Sequence, residues 1–237
     1  MRIIHTLVLS LFFAVSCLPT CSAQGFKPLV LKEAQVKEKG ANEYFKAMKI
    51  DDEVMMRMRR GGSFPADCTV KRESLRYLKV LHYNFNGKIQ TGELVCNVAI
   101  ADELINIFKE LYRNKYQIKK MVLIDEYGAD DELSMSDNNS SAFCFRKVNG
   151  SNRLSKHARG LAIDINPLQN PCVRYNVNGL LRDIEPDNPE ARKHIKRNGG
   201  QAHMINKNDL CYKLFIRHGF RWGGSWRSKK DYQHFEK

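Results

Sequence analysis

The chain has 237 residues, 43% of them hydrophobic, and 39 Lys and Arg against 26 Asp and Glu give a formal net charge of +13. This composition suffices for one packed domain and excludes a chain kept disordered by its make-up. The positive charge is spread along the sequence, with no basic arm and no nucleic-acid-binding module, so a nucleic-acid partner is not expected. A solvated surface, or attraction to anionic envelope polymers, accounts for it equally well.

In chain order, residues 1–23 read as an export signal. Arg2 supplies a positive start, Ile3 to Val15 is mostly apolar, and Cys21-Ser22-Ala23 offers small residues before a cut preceding Gln24. That run is too short for a comfortable bilayer span, and no later segment approaches one. The expectation is an exported protein, periplasmic or extracellular, with no membrane span. Residues 24–66 read as a helical lead-in to the main domain, residues 67–237. Glu43 to Met48 and Asp52 to Arg59 are rich in helix formers, and Gly61-Gly62 stops the second run.

Leu75 to Phe85 alternates loosely and meets Asn86-Gly87, a strong hairpin-turn dipeptide, with Ile89 to Val98 as the return strand. Ile100, Leu104, Ile107, Phe108 and Leu111 share one face of an amphipathic helix over 100–112. Met121 to Ile124 reads as a short strand, and Gly128 to Ser155 as polar loop. Gly160 to Ile165 is another short strand, closed by Asn166-Pro167. Gln169 to Asn206 is a loop-rich insert, Asp209 to His218 the last helix with Gly219 as its stop, and Gln233 to Phe235 a final strand. The pattern is α+β: a small antiparallel sheet with helices packed on one side. Five cysteines follow the signal segment: Cys68, Cys96, Cys144, Cys172 and Cys211. An oxidising compartment permits disulfides, but five is odd and no pairing can be read from the sequence. No CxxC spacing suggests a thiolate metal site.

The chemistry concentrates in Ser155-Lys156-His157-Ala158-Arg159-Gly160-Leu161-Ala162-Ile163-Asp164. An apolar strand has no structural need for Asp164 between Ile163 and Ile165, and a buried carboxylate is costly unless paired or bound to metal. His157 and Asp164 are both good zinc ligands, and a hydrolytic site wants three protein ligands with one open position. Among the remaining histidines, His234 stands out because Asp231 lies three residues before it. Trp222 and Trp226 bracket a Gly-Gly turn and read as core packing. Asn138 to Ser141 read as a polar wall of a cleft or as a turn.

The string Ser155-x-His157-x-x-Gly160-x-Ala162-x-Asp164, followed by Trp222-Gly223-Gly224 and Asp231-x-x-His234, resembles the zinc D-alanyl-D-alanine carboxypeptidase and dipeptidase family, peptidase family M15. Within it, the aspartate at position 231 is similar to the branch of L-alanyl-D-glutamate endopeptidases of phage endolysins, since the dipeptidases carry glutamate there. The likeness spans about Ser134 to Phe235. It implies a D-Ala-D-Ala peptidase (hedgehog-like) fold, one Zn2+ held by His157, Asp164 and His234, and Asp231 as general base. It further implies that Arg146 polarises the scissile carbonyl or holds a substrate carboxylate, and that Ser155 touches substrate or supports the ligands. The expected partners are peptidoglycan stem peptides, with the oligomeric state open. The competing expectation is a metal-containing envelope protein that binds wall peptides without cutting them.

Overall fold

The computed structural model describes residues 26–148, 151–198 and 200–237; the expected signal segment lies outside the described residues. The centre of the fold is the hairpin of β3 (Leu75–Tyr83) and β4 (Ile89–Asn97), paired antiparallel in unbroken register from Leu75↔Asn97 to Tyr83↔Ile89. Asn84 closes it: its side-chain oxygen accepts from the backbone N–H groups of Asn86 and Lys88. Gly87 takes the positive φ of 69° that the turn requires. Two edge strands, β1 (Val30–Leu31) and β2 (Lys46–Lys49), complete a four-stranded sheet in the order β1-β4-β3-β2.

Both faces of this sheet are covered. On one face, Leu78, Val80, Leu94 and Cys96 pack against α3 (Val98–Arg113), whose residues Ile100, Leu104, Ile107, Phe108 and Leu111 supply the expected apolar stripe. Asn97 caps this helix through Ala99 N–H. On the other face, Leu75, Tyr77 and Val95 meet Val54, Met55 and Met58 of α2 (Asp52–Gly61). Helices therefore flank the sheet on two sides where one was expected, because strand residues on both pleat faces are apolar and each face must be buried. The fully buried Glu93 is neutralised by Arg57 of α2, at 2.5 and 2.9 Å, and accepts from Tyr77 Oη at 2.6 Å.

Three local expectations change. Residues 43–48 do not form a helix; a short helix, α1 (Glu33–Lys39), precedes a 3-10 turn over Ala41–Tyr44, and Lys46–Lys49 is the edge strand β2. Helix propensity is a weak preference there, and pairing with β3 overrides it. Met121 to Leu123 is buried but joins no sheet. The Asn139 amide takes the place of a neighbouring strand, accepting from Val122 N–H and donating to Val122 C=O. The polar stretch 128–155 contains a one-and-a-half-turn helix, α4 (Asp131–Ser136), capped by Asp130.

The C-terminal part builds two further three-stranded sheets, so the fold is α+β with three small antiparallel sheets. β5 (Ala162–Asp164), β10 (His234–Glu236) and β8 (Arg221–Trp222) run in the order β5-β10-β8. The insert is more regular than its composition suggests: β6 (Cys172–Tyr175) and β7 (Leu181–Glu185) form a hairpin that adds β9 (Lys230–Asp231), and α5 (Pro189–Arg192) follows. The last helix, α6 (Leu210–Arg217), falls where the sequence places it and buries Leu214 and Phe215. All five described cysteines are free thiols. No helix among the described residues is long and apolar enough to cross a membrane.

Candidate active site

The register of β5 against β10 explains why two distant sequence segments share one site. His234 lies directly opposite Asp164, and Phe235 opposite Ile163. Alternation sends Ile163 and Phe235, both 0% exposed, into the core and leaves His234 and Asp164 together on the other face. His157 reaches the same point from the 3-10 turn His157–Arg159, which Gly160 ends with a φ of 66°. Gly160 also lies against β4: a Cβ there would stand 2.6 Å from Asn97 N, so only glycine fits.

The three side chains converge closely. His157 Nε2 lies 3.1 Å from His234 Nδ1 and 3.2 Å from Asp164 Oδ2, and His234 Nδ1 lies 3.0 Å from Asp164 Oδ1. The outer ring nitrogens fix the tautomers. His157 Nδ1 is 2.6 Å from the Ala142 carbonyl, which can only accept, so this nitrogen carries the proton. His234 Nε2 faces the Glu236 carboxylate at 3.3 Å and donates to it. Neutral histidines so arranged aim two lone pairs and a carboxylate at one another, a set that is stable only around a cation. Tetrahedral zinc ligation at about 2.0–2.1 Å would separate donor atoms by about 3.3 Å. The donor set fits a divalent metal in both chemistry and spacing.

The electrostatics express the same demand. Burial opposes charge on Asp164, but His157 and then His234 hold its carboxyl well below the usual range. Burial also opposes charge on His234, yet hydrogen bonds to Asp164 and Glu236 raise it to about 10. Without metal, a proton supplies the missing positive charge. Glu236, in turn held by Arg221 at 2.7 Å, is a partner that the motifs of the sequence do not mark. The two-residue spacing His234-x-Glu236 in a strand was the available sign, because it puts both side chains on one face. Glu236→Gln is expected to weaken zinc affinity by roughly 10–100-fold, measured by competition with a chromophoric chelator, with the fold unchanged by circular dichroism.

These residues line a cleft of about 610 Å3. Asp231 sits in it on β9, opposite Cys172 of the insert hairpin, and is not part of the three-donor cluster. Lys229 Nζ holds its Oδ2 at 3.1 Å, while Oδ1 is buried with no hydrogen-bond partner among the described residues. Gly223 makes the approach possible, since a Cβ there would come within 2.6 Å of Asp231 O and 3.2 Å of His234 Cβ. Arg146 lines the opposite wall in an ion pair with Asp131 of α4, whose carboxyl burial raises and the Arg146 charge partly restores. Nothing in the sequence marked Asp131.

Ser155 also lines the cleft, and its hydroxyl accepts from His157 N–H at 3.2 Å, holding the turn that presents the histidine. Trp222 is core, as expected, donating to Tyr232 C=O. Trp226 is not: it lines the cleft with its ring 5.2 Å from that of His234 and Lys229 Nζ 4.9 Å over its face. Asn138 to Ser141 lie behind the cleft and form no wall of it. Asn138 binds Gln169 and Leu168 N–H, and Ser141 pairs with Asp164 through the backbone, fixing the back of β5.

A cleft floored by three groups able to hold a metal ion, with a carboxylate beside them, offers the donors that metal-assisted hydrolysis requires. Residues 149–237 match the family model described as D-alanyl-D-alanine carboxypeptidase, the family whose motifs the sequence resembles. It contains Ser155, His157, Asp164, Asp231 and His234, whereas Arg146 and Asp131 precede it. No curated protein and no solved structure gives a significant match.

Proposed function

We propose that the chain is an exported zinc peptidase with the fold of the D-Ala-D-Ala peptidases that hydrolyses stem peptides of peptidoglycan. The observation that carries this reading is the convergence of His157, Asp164 and His234 in a cleft where Asp231 keeps one buried carboxylate oxygen without a partner among the described residues. The apolar segment Ile3 to Val15 behind Arg2 supports export. His157, Asp164 and His234 would hold the zinc, which would supply a water acidified to a pKa of about 7 and Lewis-acid polarisation of a carbonyl. Asp231 Oδ1 takes a proton in the attack step and returns it to the leaving amine, while Lys229 steadies the other oxygen. Arg146 places a permanent charge on the cleft wall where negative charge develops on the substrate carbonyl. Ser155 keeps His157 in position. The aspartate at position 231, which resembles the endolysin branch of the family, favours the L-Ala–D-Glu endopeptidase type over terminal D-Ala release.

The test is mass spectrometry of purified muropeptides incubated with the protein, with and without a zinc chelator. Separation of L-Ala from the stem, blocked by chelator and restored by zinc, is the expected result. Release of terminal D-Ala instead would make the enzyme a carboxypeptidase. No cleavage with one equivalent of zinc would overturn the enzyme reading in favour of a wall-peptide binder.

A further inference from the structure

The charges lining the cleft are unevenly matched. The carboxylates Asp131, Glu185, Asp231 and Glu236 are each ion-paired within the protein, to Arg146, Arg174, Lys229 and Arg221 respectively. Asp130 is committed to capping α4, and Glu132 accepts from Asp187 N–H. Two cations that line the cleft have no such partner among the described residues. Arg153 and Arg159 make no side-chain ion pair, whereas Lys156 Nζ donates to the Lys237 main-chain oxygen at 2.5 Å and its charge acts on Glu236.

The backbone beneath these cations is fixed. Arg153 C=O accepts from Val148 N–H at 2.9 Å, in a ladder that continues through the Lys147–Leu154 bridge and Ser155 N–H to Arg146 C=O. Arg159 C=O accepts from Asn97 Nδ2 at 3.1 Å, at the cap of α3. Two exposed guanidinium groups are thus presented from anchored positions, four residues before and two residues after a candidate ligand. An exposed guanidinium without an internal anion can grip a substrate carboxylate through two N–H groups at once.

We infer that Arg153 and Arg159 form a subsite for a substrate carboxylate other than the one at the peptide's C-terminus, and that this makes the cleft selective for stem peptides with a free, unamidated acidic side group. The inference deepens the peptidase reading and rests on it for the identity of the ligand. The site that performs hydrolysis and the wall that selects charge are separate sets of residues, so each can fail alone.

The probes are two synthetic pentapeptides ending in D-Ala-D-Ala, identical except that the D-glutamate carboxylate is free in one and a carboxamide in the other. Their affinities are measured by calorimetry on the zinc-loaded Asp231→Asn chain, and their hydrolysis on the unaltered protein. The free acid is expected to bind roughly tenfold tighter, with an advantage that shrinks as salt rises. Arg153→Gln/Arg159→Gln should bring the two affinities together, and Arg153→Lys/Arg159→Lys should restore part of the difference. Equal affinity for the two peptides, or no measurable binding of either, would overturn the inference even if both are cut. An acid preference in binding with no hydrolysis by the unaltered protein would sustain it while ending the peptidase reading.

Discussion

Asp231→Asn is expected to lower kcat on the cleaved muropeptide by about 10²–10⁴-fold while the protein still binds one zinc per chain. The reasoning is geometric. Asp231 lies outside the cluster of His157, Asp164 and His234, so its replacement removes no donor from the metal. Asparagine has the same shape, and its amide oxygen can still accept from Lys229, so the contact at 3.1 Å survives. What disappears is the ability of the second oxygen, buried in the cleft without a partner among the described residues, to take up a proton. A structural role would show as lost zinc or a lowered melting temperature, and a binding role as a raised KM at constant kcat. Full activity in this variant would remove Asp231 from the mechanism.

Much of this site is legible in the amino-acid sequence because its parts lie in two short strings whose residue types conflict with their surroundings. Asp164 inside an apolar strand and the glycine at position 160 are such conflicts. Strand alternation then makes the opposition of Asp164 and His234 intelligible once β5 and β10 are known to pair. The hairpin and helix of residues 75–113 are equally legible, since their periodicity is long and their turn and cap residues agree with it. The rest depends on contacts that no local pattern encodes. Residues 169–206 look like loop because their polar residues and prolines dominate, yet Cys172 to Glu185 forms the hairpin that carries Asp231 on its edge. Val122 lacks a strand neighbour because a side-chain amide seventeen residues away supplies one. The pairing of Asp131 with Arg146 is likewise a meeting of two separate segments, visible only when α4 is placed against the cleft.

Stripping the metal is expected to abolish turnover and to lower the melting temperature by roughly 10 °C, with both restored by zinc. A ligand present at about a thousand times its Kd stabilises by about 4 kcal/mol, and each kcal/mol moves the melting temperature of a domain of this size by about 2–4 °C. The dependence on pH should separate the two forms. In the metal-free chain His234 is raised from 6.5 to about 10, so it contributes stability that is complete below pH about 6.5 and is lost as pH rises toward 10. Asp164 is lowered, so its contribution is present above its ordinary range near pH 4 and fades only in stronger acid. Metal-free protein should therefore be most stable in mildly acidic solution and weaken through neutral and alkaline pH. Zinc replaces that proton, so zinc-loaded protein should keep its stability as pH rises, and its zinc affinity should fall as pH is lowered. Differential scanning fluorimetry of the two forms from pH 5 to 10 measures the gap directly. A gap that widens with pH supports a metal held by these three residues, whereas parallel curves would place the metal elsewhere.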